Sequence, residues 1–288
     1  MSLSSPKEIK NLNEIINNYD LFFVDLWGVI HNGVNLFGNA IDVLKKLQEL
    51  NKTVVLLSNA PRTNKTVSIF LENLGFNLEL VNKIITSGDV TKKYLQKNNH
   101  KKFFHLGPDK DKDLFDQSIK IEDKIENCEE IVCTGLVKNL GLAIEDYDSF
   151  FQECIKKKIR LVCANPDEVV VRGNIIEYCA GGLANFYKKK GGEVIFFGKP
   201  YDEIYHFAHQ EISSSINSII SKDRILAIGD NLKTDIFGAQ TYNIDSLLIL
   251  NGIYKDFFRD KNLNFEKLIK STGIENLLIK KFQKELIW

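Results

Sequence analysis

The chain carries no excess charge of either sign, with 38 Lys and Arg set against 38 Asp and Glu over 288 residues. No global field marks it for nucleic acid or for an anionic membrane surface, so any phosphate binding must come from charges gathered locally. Cysteine is scarce and unpatterned. The five cysteines (Cys128, Cys133, Cys154, Cys163, Cys179) contain no CxxC pair, which argues against a disulfide framework or a zinc knuckle and suits a reducing, cytoplasmic setting. No apolar run approaches the roughly 20 residues of a membrane span, and the N-terminus lacks the basic-then-apolar order of a signal peptide. Internal repeats and low-complexity segments are also missing. What remains is an ordinary globular composition, 44% hydrophobic and 26% charged, long enough for two domains.

The apolar pattern alternates between strand-like and helix-like stretches. A buried strand over 21–24 leads into a Gly/Asn-rich turn, a helix over 39–50, a strand over 53–57, a helix from Thr63 to about 73 and a short strand at Ile84 and Ile85. Such β-α-β order predicts a parallel sheet with right-handed crossovers and a ligand edge at the C-terminal ends of its strands. The alternation runs on through a helix over 89–97, strands over 102–106, 131–134 and 159–163, and a helix over 146–158. Residues 109–130, rich in Asp, Lys and Glu, read as a solvated surface loop. The first domain resumes with a strand over 194–197, a helix over 202–217, strands over 224–228 and 246–250, a helix over 234–241 and a C-terminal helical stretch over 264–285. The expected organisation is a core of residues 1–86 and 191–288, with residues 87–190 inserted as a second α/β domain.

Four segments that follow strand-like runs carry the chemistry. Asp25 ends the first strand, Ser58 and Asn59 follow TVVLL, Lys199 follows VIFF, and Asp230 with Asp235 follows RILAI. A carboxylate nucleophile can cleave a phosphate monoester through an acyl-phosphate, provided that cations offset its repulsion for the phosphate. Asp230 and Asp235, hard oxygen donors five residues apart across a loop-to-helix junction, suit Mg²⁺; Lys199 supplies a fixed cation. The Ser58 hydroxyl and the backbone N–H groups of Leu26, Trp27 and Asn59 are candidates for the remaining phosphate oxygens. Taken singly, each segment has a plainer reading: a strand-end Asp is commonly a cap, Ser-Asn an N-cap, and Lys before Pro a turn residue. Their combination is what points to a phosphate site. His206 and His209 share a helix face but lack a third ligand, and read as packing residues.

Asp25-Leu26-Trp27-Gly28-Val29, Ser58-Asn59, Gly198-Lys199-Pro200 and Gly229-Asp230-Asn231-Leu232-Lys233-Thr234-Asp235, in this order, resemble the four motifs of the haloacid dehalogenase (HAD) superfamily of phosphohydrolases. The long insertion containing Asn165-Pro166-Asp167 resembles the class IIA branch, which holds nucleotide, pyridoxal-phosphate and nitrophenyl-phosphate phosphatases related to the NagD proteins. The resemblance covers nearly the whole chain. It implies an α/β fold with a Rossmann-like parallel-sheet core and an inserted α/β cap of the C2 type. It further implies Mg²⁺ held by Asp25, the backbone carbonyl of Trp27 and Asp230, with Asp235 either a direct ligand or a residue that orients the metal's water ligands or caps the helix. A small-molecule phosphorylated substrate is expected, with no nucleic acid or membrane partner, and relatives with such caps often form homodimers.

One position departs from the motif. Phosphatases of this superfamily usually place a second Asp two residues after the nucleophile, as the acid and base of the reaction, and here that residue is Trp27. Loss of a positioned acid or base costs about 10²–10⁴ in rate. The resemblance therefore leaves open a phosphatase in which another group such as His31 replaces the acid, a slow phosphotransferase, and a phosphate-ester binding protein with little turnover. Contacts to the rest of the substrate are expected from the stretch 165–173, with Asn165, Asp167 and Arg172, and from a turn at Gly181-Gly182.

Overall fold

In the computed structural model, which describes residues 6–172, 175–255 and 264–288, the chain divides into two compact units. The first comprises residues 1–58, 70–84 and 205–288, and the second residues 59–69 and 85–204.

The first unit is built on a seven-stranded sheet in the order Lys7–Glu8, Lys281–Gln283, Asp245–Ile249, Ile225–Gly229, Leu21–Val24, Thr53–Ser58, Lys83–Thr86. The strands from Lys7–Glu8 through Thr53–Ser58 pair in parallel. All four residues of Leu21–Val24 and all five of Ile225–Gly229 are buried, as expected of central strands covered on both faces. One covering helix, Gly38–Glu49, buries Ala40, Val43, Leu44 and Leu47, a single stripe at helical spacing. From Leu21–Val24 the chain proceeds to one side of the sheet, and from Ile225–Gly229 to the other. This reversal makes the C-terminal ends of those two strands the switch point at which open α/β sheets bind ligands.

The second unit holds a five-stranded parallel sheet in the order Val194–Phe196, Arg160–Cys163, Glu130–Cys133, Lys102–Leu106, Lys120–Ile121. Its core gathers Ile131, Tyr147, Phe151, Leu161, Leu183, Tyr187 and Phe196. A separate antiparallel pair, Val169–Arg172 with Ile175–Tyr178, lies between the Arg160–Cys163 strand and the Ala180–Lys189 helix in sequence.

Several elements differ from the expectation. The strand at 194–196 pairs with Arg160–Cys163 in the second sheet, and three apolar residues carry no mark of which sheet they will join. The C-terminal stretch is helical only over Phe265–Thr272 and then contributes the strand Lys281–Gln283. Gly181 and Gly182 are not a turn. They stand in the first turn of the Ala180–Lys189 helix, where a Cβ on Gly181 would overlap the carbonyls of Pro166 and Asp167. Glycine is required there by close approach of the backbone, which is indistinguishable from a turn in sequence.

The charged stretch 109–130 is not all solvated surface, because two of its acids bind the segment after Asn59. Asp113 accepts from the Thr63 N–H at 2.9 Å and from the Thr63 and Thr66 hydroxyls at 2.6 Å each. Asp111 is buried and pairs with Arg62 at 3.4 Å. Asp89, the reciprocal partner of Thr86 in a capping box, also accepts from the Asn64 N–H at 2.9 Å. Residues 59–69 are thus held in the second unit by carboxylates at the start of their helix, where the helix dipole favours negative charge.

Burial pushes the Asp111 carboxyl up to about 6 despite the opposing pull of Arg62. Its unfolded value is about 3.9, so between those two values the folded state holds a proton that the unfolded state lacks. The stabilisation from this group is complete at low pH and is lost as pH rises through about 6. Asp111→Asn is expected to gain thermal stability relative to wild type by a few degrees between about pH 5 and pH 7. Melting curves across that range check this; a difference that does not change with pH contradicts it.

Candidate active site

Asp25 leaves the Leu21–Val24 strand still in the ladder, its N–H bonded to the Ile228 carbonyl at 2.8 Å. Asp230 follows the neighbouring Ile225–Gly229 strand directly, and Asp235 lies in the wide turn Leu232–Ile236 that opens the next helix. The three carboxylates are buried, and one oxygen from each lies within 4.8 Å of the other two. Among the described residues they form the one group of three such side chains placed to share a metal ion.

The surrounding backbone holds this arrangement. Gly28 adopts φ +84°, and a Cβ there would overlap the Asp230 carboxylate, so the turn after Asp25 needs glycine for both conformation and space. Asp230 accepts from the Ile253 N–H at 2.7 Å, and Asp235 from the Asn231 N–H at 3.1 Å. The Tyr205 hydroxyl lies 3.5 Å from the Asp235 carbonyl. Tyr254 is pushed up to about 12, chiefly by burial and further by the Asp230 and Asp235 charges, so it stays a phenol. The donor set fits a hard divalent cation, which takes carboxylate and carbonyl oxygens and removes the mutual repulsion of three buried acids. It does not suit a softer metal, which would call for thiolate or imidazole.

Ser58, the last residue of the Thr53–Ser58 strand, is buried on the same sheet edge. Leu26 is buried, and its carbonyl accepts the N–H groups of Ile30 and His31 at 2.9 and 3.1 Å, folding residues 26–31 into a tight loop. His31 takes the Gly33 N–H on Nδ1 at 3.0 Å, which leaves its proton on Nε2. It is buried, with its ring 5.1 Å from that of Trp27 and 5.5 Å from that of Phe70. The ring packs edge-on against both of these neighbours.

In the second unit, Asn59, Lys199 and Asp167 meet through one amide. Asn59 Oδ1 accepts the Lys199 N–H at 2.7 Å, while Asn59 Nδ2 donates to the Lys199 carbonyl at 2.9 Å and to Asp167 Oδ1 at 3.0 Å. Asn165 in turn accepts the Asp167 N–H at 3.0 Å. Asn59, Lys199 and Asn165 are buried and Asp167 is half-buried. The Ser87 hydroxyl lies within hydrogen-bonding reach of the carbonyls of Ala164 and Phe197, joining the two loops a second time. Arg172 ends the Val169–Arg172 strand, but its side chain and Gly173 lie outside the described residues.

Of the residues singled out from sequence, Asp25, Asp230 and Asp235 come together in the first unit, and Asn59, Asn165, Asp167 and Lys199 in the second. The sequence points to the N–H of Asn59, whereas in the structure its side-chain amide is the bridging group, as a residue type that can donate and accept at once allows. Ile253 and Tyr254 join the acidic cluster without a motif of their own. Their signal was the Asn251-Gly252 pair just past the Asp245–Ile249 strand, a turn on the sheet's ligand edge.

Asn59→Ala removes three hydrogen bonds from a buried site and is expected to cost about 2 kcal/mol of unfolding free energy. Asn59→Asp is expected to cost more, since it sets a second carboxylate against Asp167. Urea denaturation measures both, and an Asn59→Ala midpoint equal to wild type contradicts the bridging role.

Comparison with known proteins now bears on this geometry. Residues 22–118 match the family of haloacid dehalogenase-like hydrolases, and residues 196–265 match a second HAD-hydrolase-like family. A crystal structure of a haloacid dehalogenase-like hydrolase from Brucella suis superposes with a TM-score of 0.85 at 30% identity, covering 97% of this chain and 100% of that one. A possible sugar phosphatase from Cytophaga hutchinsonii superposes with a TM-score of 0.79 at 24% identity over 98% and 99% of the two chains, a likeness of fold. The 4-nitrophenylphosphatase of Schizosaccharomyces pombe is 26% identical over 281 residues, which is 88% of this chain and 90% of that protein. With the acidic cluster at the switch point and near-complete coverage of these relatives, the chain belongs to the haloacid dehalogenase-like hydrolases, in the class IIA branch of NagD-like phosphatases.

Proposed function

We propose that the protein is a Mg²⁺-dependent phosphatase that hydrolyses a small-molecule phosphate monoester through an aspartyl-phosphate on Asp25. The observation that carries this reading is the convergence of three buried carboxylates at the sheet's switch point, in a chain whose relatives are named as phosphatases. Asp25, Asp230 and the Trp27 carbonyl would hold Mg²⁺, with Asp235 beside them, and the bound ion would supply positive charge toward the phosphoryl oxygens. Asp25 attacks phosphorus in line, and its burial on a rigid strand end fixes the direction of approach. Ser58 and the N–H groups of Leu26, Trp27 and Asn59 hold phosphoryl oxygens, and Lys199 neutralises charge that develops during transfer. The second unit acts as the cap, with Asn165, Asp167 and Arg172 meeting the part of the substrate beyond the phosphate.

Trp27 favours a second reading, a phosphate-ester binding protein with little turnover, because an indole offers neither acid nor base. The two readings separate on catalysis. Phosphate release from a panel of nucleotide, sugar and cofactor monophosphates is expected with Mg²⁺, to cease with EDTA, and to fall to background in Asp25→Asn while that variant keeps its fold. Undiminished release by Asp25→Asn contradicts the nucleophile. Absence of release across the panel, with Mg²⁺ and ligand still raising the melting temperature, favours the binder.

A further inference from the structure

Two buried side chains that the phosphate chemistry leaves unused, the amide of Asn59 and the hydroxyl of Ser87, reach from one platform to the same two loops. The platform is the start of the Ser87–Lys97 helix, fastened to the segment after Asn59. The Gly88 N–H donates to the Ala60 carbonyl at 3.0 Å, and the Thr86 hydroxyl donates to the Arg62 carbonyl at 2.6 Å. The Asn64 N–H closes the set on Asp89, whose own place is fixed by the capping box with Thr86. A Cβ on Gly88 would overlap the Arg62 backbone, so the two segments meet main chain to main chain. Asn59 and Ser87 are therefore fixed relative to each other independently of the loops they reach.

From that platform the Asn59 amide holds Lys199 on both sides of its Cα. It accepts the Lys199 N–H at 2.7 Å and donates to the Lys199 carbonyl at 2.9 Å, and the same Nδ2 reaches Asp167 at 3.0 Å. The Ser87 hydroxyl contacts the carbonyls of Ala164 and Phe197, one on each loop. These contacts converge at Gly198. It adopts φ +119°, and a Cβ there would lie 2.7 Å from Asn59 Oδ1, 2.7 Å from Pro166 Cδ and 2.9 Å from Ser87 Oγ. A lysine ammonium on its flexible four-carbon stem reaches a defined point only when the backbone that carries it is held.

Resting on the role given to Lys199 in the phosphatase reading above, we propose that Asn59 and Ser87 are positioning residues that make the Lys199 turn and the 164–167 loop one rigid piece. A substrate that meets the loop through Asn165 and Asp167 then finds the Lys199 charge already in place. In this role neither side chain contacts the phosphoryl group. Their effect on rate passes through Lys199, because a preorganised charge lowers the barrier only while it is held where charge develops.

A double-mutant cycle on Lys199 tests this, reading kcat and KM on whichever ester of the panel above wild type cleaves fastest, at a temperature below every variant's melting transition. Asn59→Ala and Ser87→Ala are each expected to lower kcat about 10–100-fold and to change KM by less than about threefold. Added to Lys199→Ala, the same changes are expected to lower kcat by less than about threefold, since the group they position is gone. Wild-type kcat in both single variants overturns the positioning role while leaving a phosphatase. So does a full 10–100-fold loss that persists on the Lys199→Ala background, roughly the size expected of misplaced phosphate-binding N–H groups. If Lys199→Ala has no measurable rate, the split decides, and a raised KM at unchanged kcat in the single variants overturns the role. Release from no ester by wild type overturns the phosphatase reading itself and this proposal with it. If Asn59→Ala does not fold, Ser87→Ala, which removes a single oxygen atom, decides alone.

Discussion

Three buried carboxylates with oxygens within 4.8 Å of one another, two at the ends of central strands and the third in the turn that follows one of them, are the constraint on which the first unit depends. At an effective dielectric near 20, two like charges 4.8 Å apart repel by about 3.5 kcal/mol. Three of them persist only where the backbone leaves no alternative and a cation is expected to join them. The backbone condition is visible in the structure. Asp25 and Asp230 leave adjacent parallel strands at the reversal of the sheet, Gly28 clears space beside Asp230, and the N–H groups of Ile253 and Asn231 fix the carboxylates of Asp230 and Asp235.

The second unit is organised by polar contacts that have no counterpart in its apolar core. Asp113, Asp89 and Arg62 fasten residues 59–69, and the Asn59 amide then joins Lys199 to Asp167. Since Asn59 follows Ser58 directly in the chain, one short segment leads from the last residue of a first-unit strand into this network. Placement of the Lys199 turn and of the 165–167 loop is thereby set by one side chain, and a change at Asn59 alters both. In the first unit, edge-on contacts among Trp27, His31 and Phe70 add to the backbone hydrogen bonds that shape the loop after Asp25.

Much of this was legible in the chain. Strands that are buried on both faces read as continuous apolar runs, so 21–24, 53–57 and 224–228 stood out, and the acids at their ends could be placed on the ligand edge before any coordinates. The meeting of Asp25 with Asp230 needed no more than strand order. Other parts depended on contacts between residues distant in sequence. Asp111 and Asp113 looked like members of a solvated run because charge count says nothing about burial, and their partners lie about fifty residues earlier. Gly181 looked like a turn because close packing against a carbonyl and a left-handed φ both demand glycine. The strand at 194–196 was too short to reveal its sheet, and the C-terminal strand was hidden in a stretch whose apolar spacing also suits a helix.

The central claim is that the buried acid trio is a divalent cation site, and calorimetric titration of Mg²⁺ into the protein addresses it most directly. Binding of one Mg²⁺ per chain by wild type, lost in Asp230→Asn under conditions where that variant remains folded, is the result predicted. An absence of binding in wild type, or equal binding in the variant, would contradict it.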